Sequence, residues 1–347
     1  MKATDTENIG KNGLQVTRLG VGGTAIGNMY SASNIEETSF LIDGAIKQGI
    51  RYFDTAPLYG YGLSETRLGK GLEGQERDSF VISSKVGYIL IPQSRGEISQ
   101  TPFVDIPPLT TTFDFSRDAT LRSIDASLSR LKIDRLDMVF IHDPDESKSI
   151  EPGWLPGDVG FYNEVMAGAY PTLVKLREEG VIKAIGLGMN QWQMLTDFAR
   201  DGDFDCFLLA GRYTLLEQES LKELLPLCKE RGIRIVVGGP YNSGILATGA
   251  VDGAMYNYAP ATESIIKHVL QIELVCKRHN VSLRAAALQF PFGHPSVASV
   301  IPGARSIKEL NDNIELMEYE IPSEFWRELK AEKLLDPEVP ILQHSLF

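Results

Sequence analysis

Three short apolar runs in the first half of the chain each end in an ionisable residue. Asp54 closes RYFD, Lys85 closes FVISSK and His142 closes LDMVFIH, while Tyr59 lies in the loop five residues beyond Asp54. Read singly, each has an ordinary explanation. Asp54 in DTAP is good turn chemistry, Lys85 can snorkel to water at a strand end, His142 can be a satisfied structural histidine, and Tyr59 a packing aromatic. Read together, three neighbouring strands ending in buried charge is costly unless the groups pair or catalyse. The set suits a tyrosine acid/base site. A phenol with an ordinary pKa of about 10 is a poor base at neutral pH; a neighbouring ammonium lowers that pKa, and a carboxylate keeps the lysine charged. The histidine can orient a substrate oxygen. His142, His268, His279, His294 and His344 show neither HxH nor HExxH spacing, so no metal site is read.

The elements that position these residues follow from the apolar patterning. Near-continuous β-branched runs at Arg18–Gly22, Ile50–Asp54, Phe80–Val86, Leu136–His142, Ile182–Gly188, Asp205–Ala210, Arg234–Gly238 and Val297–Ile301 read as strands buried on both faces of a parallel sheet. Between them, apolar spacings of three and four predict helices at Ile35–Gln48, Ala119–Leu131, Tyr170–Glu179, Leu195–Ala199, Glu219–Arg231, Glu263–His279 and Ser306–Met317. Start and stop signals are Asn34 and Ser116 before helices, and Gly180 and Gly232 after them. The alternation predicts a (β/α)8 barrel, with a doubly wound open sheet as runner-up. No long linker divides residues 1–347, so one domain is expected, with a short hairpin around Lys11–Val16. Two connections, Gly87–Asp114 after the third strand and Asp143–Ala169 after the fourth, are too long for ordinary turns. Their aromatics (Tyr88, Phe103, Phe113, Trp154, Phe161, Tyr162) suit substrate-pocket walls, since barrel sites are built at the C-terminal strand ends.

The 347 residues carry 34 basic and 46 acidic side chains, a net charge of −12. That balance argues against nucleic acid and an anionic membrane surface as partners. The polar start MKATDTENIGKNG predicts no signal peptide, no apolar run is long enough to span a bilayer, and three scattered cysteines suit a reducing compartment. A cytoplasmic protein is expected, its oligomeric state left open.

The stretches FDTAPLYGYGLSETRLGKGL, ISSKVG, LDMVFIHDPD and GVIKAIGLGMNQWQ resemble the aldo-keto reductase superfamily, from about Leu14 to Met317. The resemblance implies a (β/α)8 barrel catalysing nicotinamide-dependent carbonyl–alcohol redox chemistry. It makes Tyr59 the general acid/base, Asp54 and Lys85 the groups that tune it, and His142 the group that positions the substrate oxygen.

The same resemblance assigns cofactor contacts. Gly23, Thr24 and Asp54 fall near the nicotinamide, and Met189–Asn190 match a Ser–Asn pair whose asparagine holds the carboxamide. Tyr213 is expected to stack on the nicotinamide ring, while Ala210 replaces the usual glutamine. The stretch Gly238–Leu246, with Pro240, Tyr241, Asn242, Ser243 and Gly244, resembles the loop over the pyrophosphate; its backbone donors suit phosphate. At the adenosine end lie Gly303, Ala304, Arg305 and Glu309, with Asp312 and Asn313 near the adenine. Gly303 and Glu309 stand where NADP-selective members carry cations. A carboxylate there repels a 2′-phosphate and can accept from a 2′-hydroxyl, which predicts NAD preference with NADP tolerated.

Within the superfamily, YGYGLSE, HDPD, LLAGRYTLLEQ, NSGILATG and VIPGARS are similar to sugar 1-dehydrogenases of the L-fucose and D-threo-aldose type, with pyridoxal 4-dehydrogenases as near relatives. The expected reaction takes hydride from the anomeric carbon of an aldose to NAD, giving the aldonolactone. Asp143 and Asp145 are candidate acceptors for sugar hydroxyls, and Trp154 is a candidate stacking surface. Two other readings stand beside it: pyridoxal oxidation or general aldehyde reduction on the same barrel, and a non-catalytic regulatory subunit that keeps its cofactor.

Overall fold

A computed structural model describes residues 1–94, 101–146 and 160–342. Eight parallel strands form one sheet: β1 (Val21–Gly22), β2 (Tyr52–Asp54), β3 (Val81–Val86), β4 (Met138–His142), β5 (Ala184–Met189), β6 (Cys206–Ala210), β7 (Arg234–Gly238) and β8 (Val297–Ile301). They neighbour one another in chain order. Parallel bridges from Leu19 to Val300 and from Gly22 to Gly303 join the first strand to the last and close the barrel. The doubly wound alternative is thereby excluded.

The crossovers are helical: α1 (Ile35–Lys47), α2 (Leu63–Gly71), α3 (Arg117–Leu131), α4 (Tyr170–Glu178), α5 (Trp192–Asp201), α6 (Leu224–Arg231), α7 (Glu263–His279), α8 (Leu283–Gln289), α9 (Ile307–Glu318) and α10 (Ser323–Ala331). The start signals act as read: Asn34 accepts from Glu37 N at 2.7 Å and Ser116 from Ala119 N at 3.3 Å. Gly232 ends α6 with φ 71°, the left-handed stop that glycine takes without penalty. The expected helix Glu219–Arg231 is split into a 3-10 turn at Glu219–Leu221 and α6.

Strand alternation fixes which side chains enter the barrel. Tyr52, Met138, Phe140, Ala184, Cys206, Leu208, Val236 and Ala298 fill its interior, while Phe53, Val139, Ile141, Ile185, Leu187 and Phe207 pack outward against the helices. Asp54 and His142 share the parity of Tyr52 and Phe140, two residues on, and therefore point inward at the upper rim. Below, an antiparallel hairpin (Thr6–Ile9 with Leu14–Thr17) sets Ile9, Leu14 and Val16 against the interior cluster and stoppers the lower mouth. Glu7 ties it down through Arg18 and, at 2.8 Å, Arg234. The long connection after β3 holds a hairpin of its own, Tyr88–Pro92 with Leu109–Phe113, where the sequence predicted only a wall-forming loop.

Candidate active site

At the upper rim, Lys85 Nζ lies 2.6 Å from Asp54 Oδ2 and donates to Thr55 O at 2.8 Å. Ser83, also inward-facing, donates to Asp54 Oδ1 at 2.6 Å, and the Tyr52 hydroxyl meets Ser83 at 3.1 Å. Burial works against both charges, raising Asp54 and lowering Lys85, while their contact favours both. Lys85 Nζ also sits 4.6 Å from the centre of the Tyr59 ring, and the His142 ring meets that ring edge-on at 5.7 Å. The structure thus brings Asp54, Tyr59, Lys85 and His142 together, as the strand ends predicted.

One expectation needs correction. The Tyr59 phenol is not lowered toward neutrality: burial, then the Asp54 and Asp143 carboxylates, push it well above its ordinary range. Lys85 is engaged by Asp54 and Thr55, so Tyr59 rests as the neutral phenol and is ready as an acid. To act as a base it requires additional positive charge beside it. Burial, then Lys85, hold His142 well below its ordinary pKa, so the imidazole is neutral; its Nδ1 is buried without a partner among the described residues.

Aromatics from the two long connections wall this site. Phe103 lies 6.3 Å from the Tyr59 ring, Tyr88 lies 5.2 Å from His142, and Phe113 and Phe161 pack at 4.9 Å. Asp143 follows β4 directly, 3.3 Å from the Tyr88 hydroxyl that donates to it. Asp145 is buried, its pKa pushed up to about 6 by burial and then by Glu146. Trp154 lies outside the described residues.

A cleft of about 750 Å³ runs from Asp54 and Tyr59 past Gly23, Thr24 and Asn190, along Gly238–Gly244, to Gly303, Arg305, Glu309, Asp312 and Asn313. A Cβ on Gly23 would stand 2.6 Å from both Asp54 O and Ser64 Oγ, so glycine lets the turn after β1 lie directly against β2 and α2. Asn190 donates to Ala210 O at 2.9 Å, which orients its amide. Asn242, Ser243 and Gly244 have successive positive φ values of 45°, 59° and 107°, a tight turn on the cleft wall in which Asn242 N donates to Gly239 O and Gly244 N to Tyr241 O, each at 3.0 Å. At the far end Tyr241 donates to Asn313 at 2.9 Å, and the Arg305 Nε is buried without a partner among the described residues. The residues present fit a dinucleotide.

Three residues of the expected cofactor set do not present their side chains to the cleft. Tyr213 is fully buried, packed on Phe290 at 5.2 Å beneath the cleft, so its ring is not available for stacking. Its loop turns it inward to fill the core. Met189 and Ala304 are likewise core residues whose side chains do not line the cleft. Glu309 does line it, but one carboxylate oxygen accepts from Arg305 N at 2.8 Å, in the turn before α9, whose cap Ser306 accepts from Glu309 N at 3.2 Å. The sequence reading missed Tyr258, Arg284 and Lys308 on the cleft wall. Tyr258 pairs with Asn190 and lies in the turn between the two-residue strands Met255–Tyr256 and Ala259–Pro260, which have no sequence signature. Arg284 lies on α8, a helix not predicted.

Residues 18–333 match the Aldo/keto reductase family, and the chain belongs to it. It is therefore an oxidoreductase of a family that works with nicotinamide cofactors. It is 36% identical over 345 residues to a pyridoxal 4-dehydrogenase from Microbacterium luteolum, covering 96% of this chain and 99% of that one. It is 37% identical over 329 residues to a D-threo-aldose 1-dehydrogenase from a Pseudomonas species, covering 93% and 96%. An aldo-keto reductase from Bacillus halodurans, in its holo form, shares the fold with a TM-score of 0.73 at 22% identity, over 97% of this chain and 98% of that one. No helix among the described residues is long and apolar enough to cross a membrane.

Proposed function

We propose that this chain is an NAD-preferring aldose 1-dehydrogenase of the L-fucose and D-threo-aldose type. The observation that carries the reading is the buried Asp54–Lys85 pair under Tyr59, with neutral His142 edge-on beside it, at one end of a dinucleotide-sized cleft. A nicotinamide bound here would supply the hydride acceptor and, when oxidised, a positive charge. Around it, Asn190 would hold the carboxamide, the Gly238–Gly244 turn the pyrophosphate, and Glu309, Asp312 and Asn313 the adenosine end. His142 donates to or accepts from the substrate oxygen, and Tyr59 takes the anomeric hydroxyl proton during oxidation. Glu309, which stands on the cleft wall where a 2′-phosphate would meet a carboxylate, supports NAD over NADP; Arg305 and Lys308 nearby support NADP as a tolerated second cofactor. The acidic, cysteine-poor composition supports a cytoplasmic enzyme acting on a small sugar.

A second reading, pyridoxal oxidation, is favoured by the 36% identity to the Microbacterium enzyme. Aldoses and pyridoxal both close on themselves to cyclic hemiacetals, so either reading ends in a lactone. Initial rates of NAD and NADP reduction with L-fucose, D-arabinose, L-galactose, D-galactose, D-glucose and pyridoxal test both. Rapid NAD reduction with one stereochemical series of aldoses supports the first reading. Turnover of pyridoxal alone replaces it with the second.

A further inference from the structure

We propose that Asp143 and Tyr88 form the subsite that reads the hydroxyl on the carbon next to the anomeric one, so that the enzyme selects neutral, unphosphorylated aldoses bearing a free 2-hydroxyl. The proposal rests on the dehydrogenase reading above.

Asp143 is the first residue beyond β4 and Tyr88 the first of the hairpin that follows β3, so both stand on the rim that carries Lys85 and His142. The Tyr88 hydroxyl donates to Asp143 Oδ2 at 3.3 Å, and His142 Nε2 lies 3.5 Å from the same oxygen. The carboxylate is therefore one imidazole away from Tyr59, whose ring is 5.7 Å from that of His142. Oxygens on adjacent ring carbons of a sugar stand side by side. If His142 holds the first, the next falls to the group beside His142, which is Asp143.

Backbone and charge agree with this placement. Asp143 adopts φ 44°, a left-handed conformation that costs a non-glycine residue energy and is held by its N–H donating to Gly188 O at 3.0 Å. Its side chain keeps 18% exposure, enough for a bound molecule to reach it. Burial, and then the like charges of Asp145 and Glu146, push the Asp143 carboxyl well above its ordinary range, so the pocket around it is unfavourable to a further anion. A sugar hydroxyl is neutral and can donate to or accept from the carboxyl, whereas a phosphate or carboxylate on the sugar would add a further negative charge.

The test compares kcat/KM, at saturating NAD, for L-fucose and D-arabinose with their 2-deoxy counterparts, in wild type, Asp143→Ala, Asp143→Asn and Tyr88→Phe. Wild type is expected to prefer the 2-hydroxy sugar by roughly tenfold or more, and Asp143→Ala to remove most of that preference. Asp143→Asn, which keeps an acceptor, should retain part of it, and Tyr88→Phe should weaken it severalfold. A wild-type enzyme indifferent to the 2-hydroxyl overturns the proposal whether or not the variants fold. So does a preference that Asp143→Ala leaves intact. Both results leave the dehydrogenase reading standing; wild-type silence on every aldose removes both.

Discussion

Lys85 and Asp54 meet at 2.6 Å with no more than 2% of either side chain open to solvent. A pair so enclosed is poor as a stabiliser and good as a fixed point. Two charges taken from water gain little net free energy from each other, but one left alone is costly. Its role here is to set an ammonium 4.6 Å from the ring of Tyr59 and hold it there.

Removing one partner should therefore cost more than removing both. Lys85→Met leaves Asp54 buried and unpaired, and should lose about 3–5 kcal/mol of stability in urea unfolding. The double variant Asp54→Leu with Lys85→Met should recover much of that stability while remaining without turnover. A single variant as stable as wild type would mean that solvent reaches the pair.

Tyr59→Phe removes the hydroxyl and keeps the ring that packs on His142 and Phe103. Cofactor affinity, followed by fluorescence titration, should stay near the wild-type value, while turnover should fall by about 10²–10⁴. Residual activity above about a tenth of wild type would assign the proton transfer to another group.

Glu309 combines a bond to Arg305 N in the turn before α9 with a place on the cleft wall. Glu309→Arg should shift the ratio of kcat/KM values toward NADP by roughly tenfold or more, through pairing with the 2′-phosphate. Losing the carboxylate's bond to Arg305 N should at the same time lower stability by about 1 kcal/mol. A stability loss with an unchanged cofactor ratio would mean that the carboxylate serves that turn alone.

His294 offers a pH prediction away from the site. Burial, then Lys229, lower its pKa to about 4, and the N–H of Ser296 donates to its Nδ1 at 3.3 Å, which requires the neutral ring. The unfolded chain binds this proton near pH 6.5 and the folded chain only near pH 4. The contribution is therefore present above the unfolded value and is lost as pH falls through that window. Asp145, raised to about 6, titrates in the opposite sense over much of the same range, so wild type alone hides the effect. Melting temperatures of His294→Asn and wild type should converge on acidification from pH 7 to 4.5; a constant gap would mean that His294 can take its proton inside the fold.

Much of this architecture was legible because the apolar runs and their polar ends coincide. The β7 and β8 bounds match the patterning residue for residue, and Asp54, Lys85 and His142 advertise themselves by ending strands that are otherwise buried. The missed elements lack that contrast. Gly69 and Gly71 disguise α2, yet a Cβ on Gly69 would stand 2.3 Å from Leu131 O, so the glycine serves the close approach of α2 to α3. The hairpin beginning at Tyr88 hides in a segment with no apolar repeat. Loops also carry no periodicity to say which way a side chain turns, and so Tyr213 was sent to the cleft when it fills the core.

The N-terminal hairpin covers the lower end of an interior already filled by side chains, which leaves the upper rim as the face open to a ligand. Whatever enters must leave past the same rim, beside Tyr59, Phe103, Tyr258 and the segments that frame them. Holding and trading are thereby assigned to opposite ends of one molecule. A lineage of such chains is free to exchange one guest for another by rewriting the rim, while the base, on which cohesion depends, stays as it is.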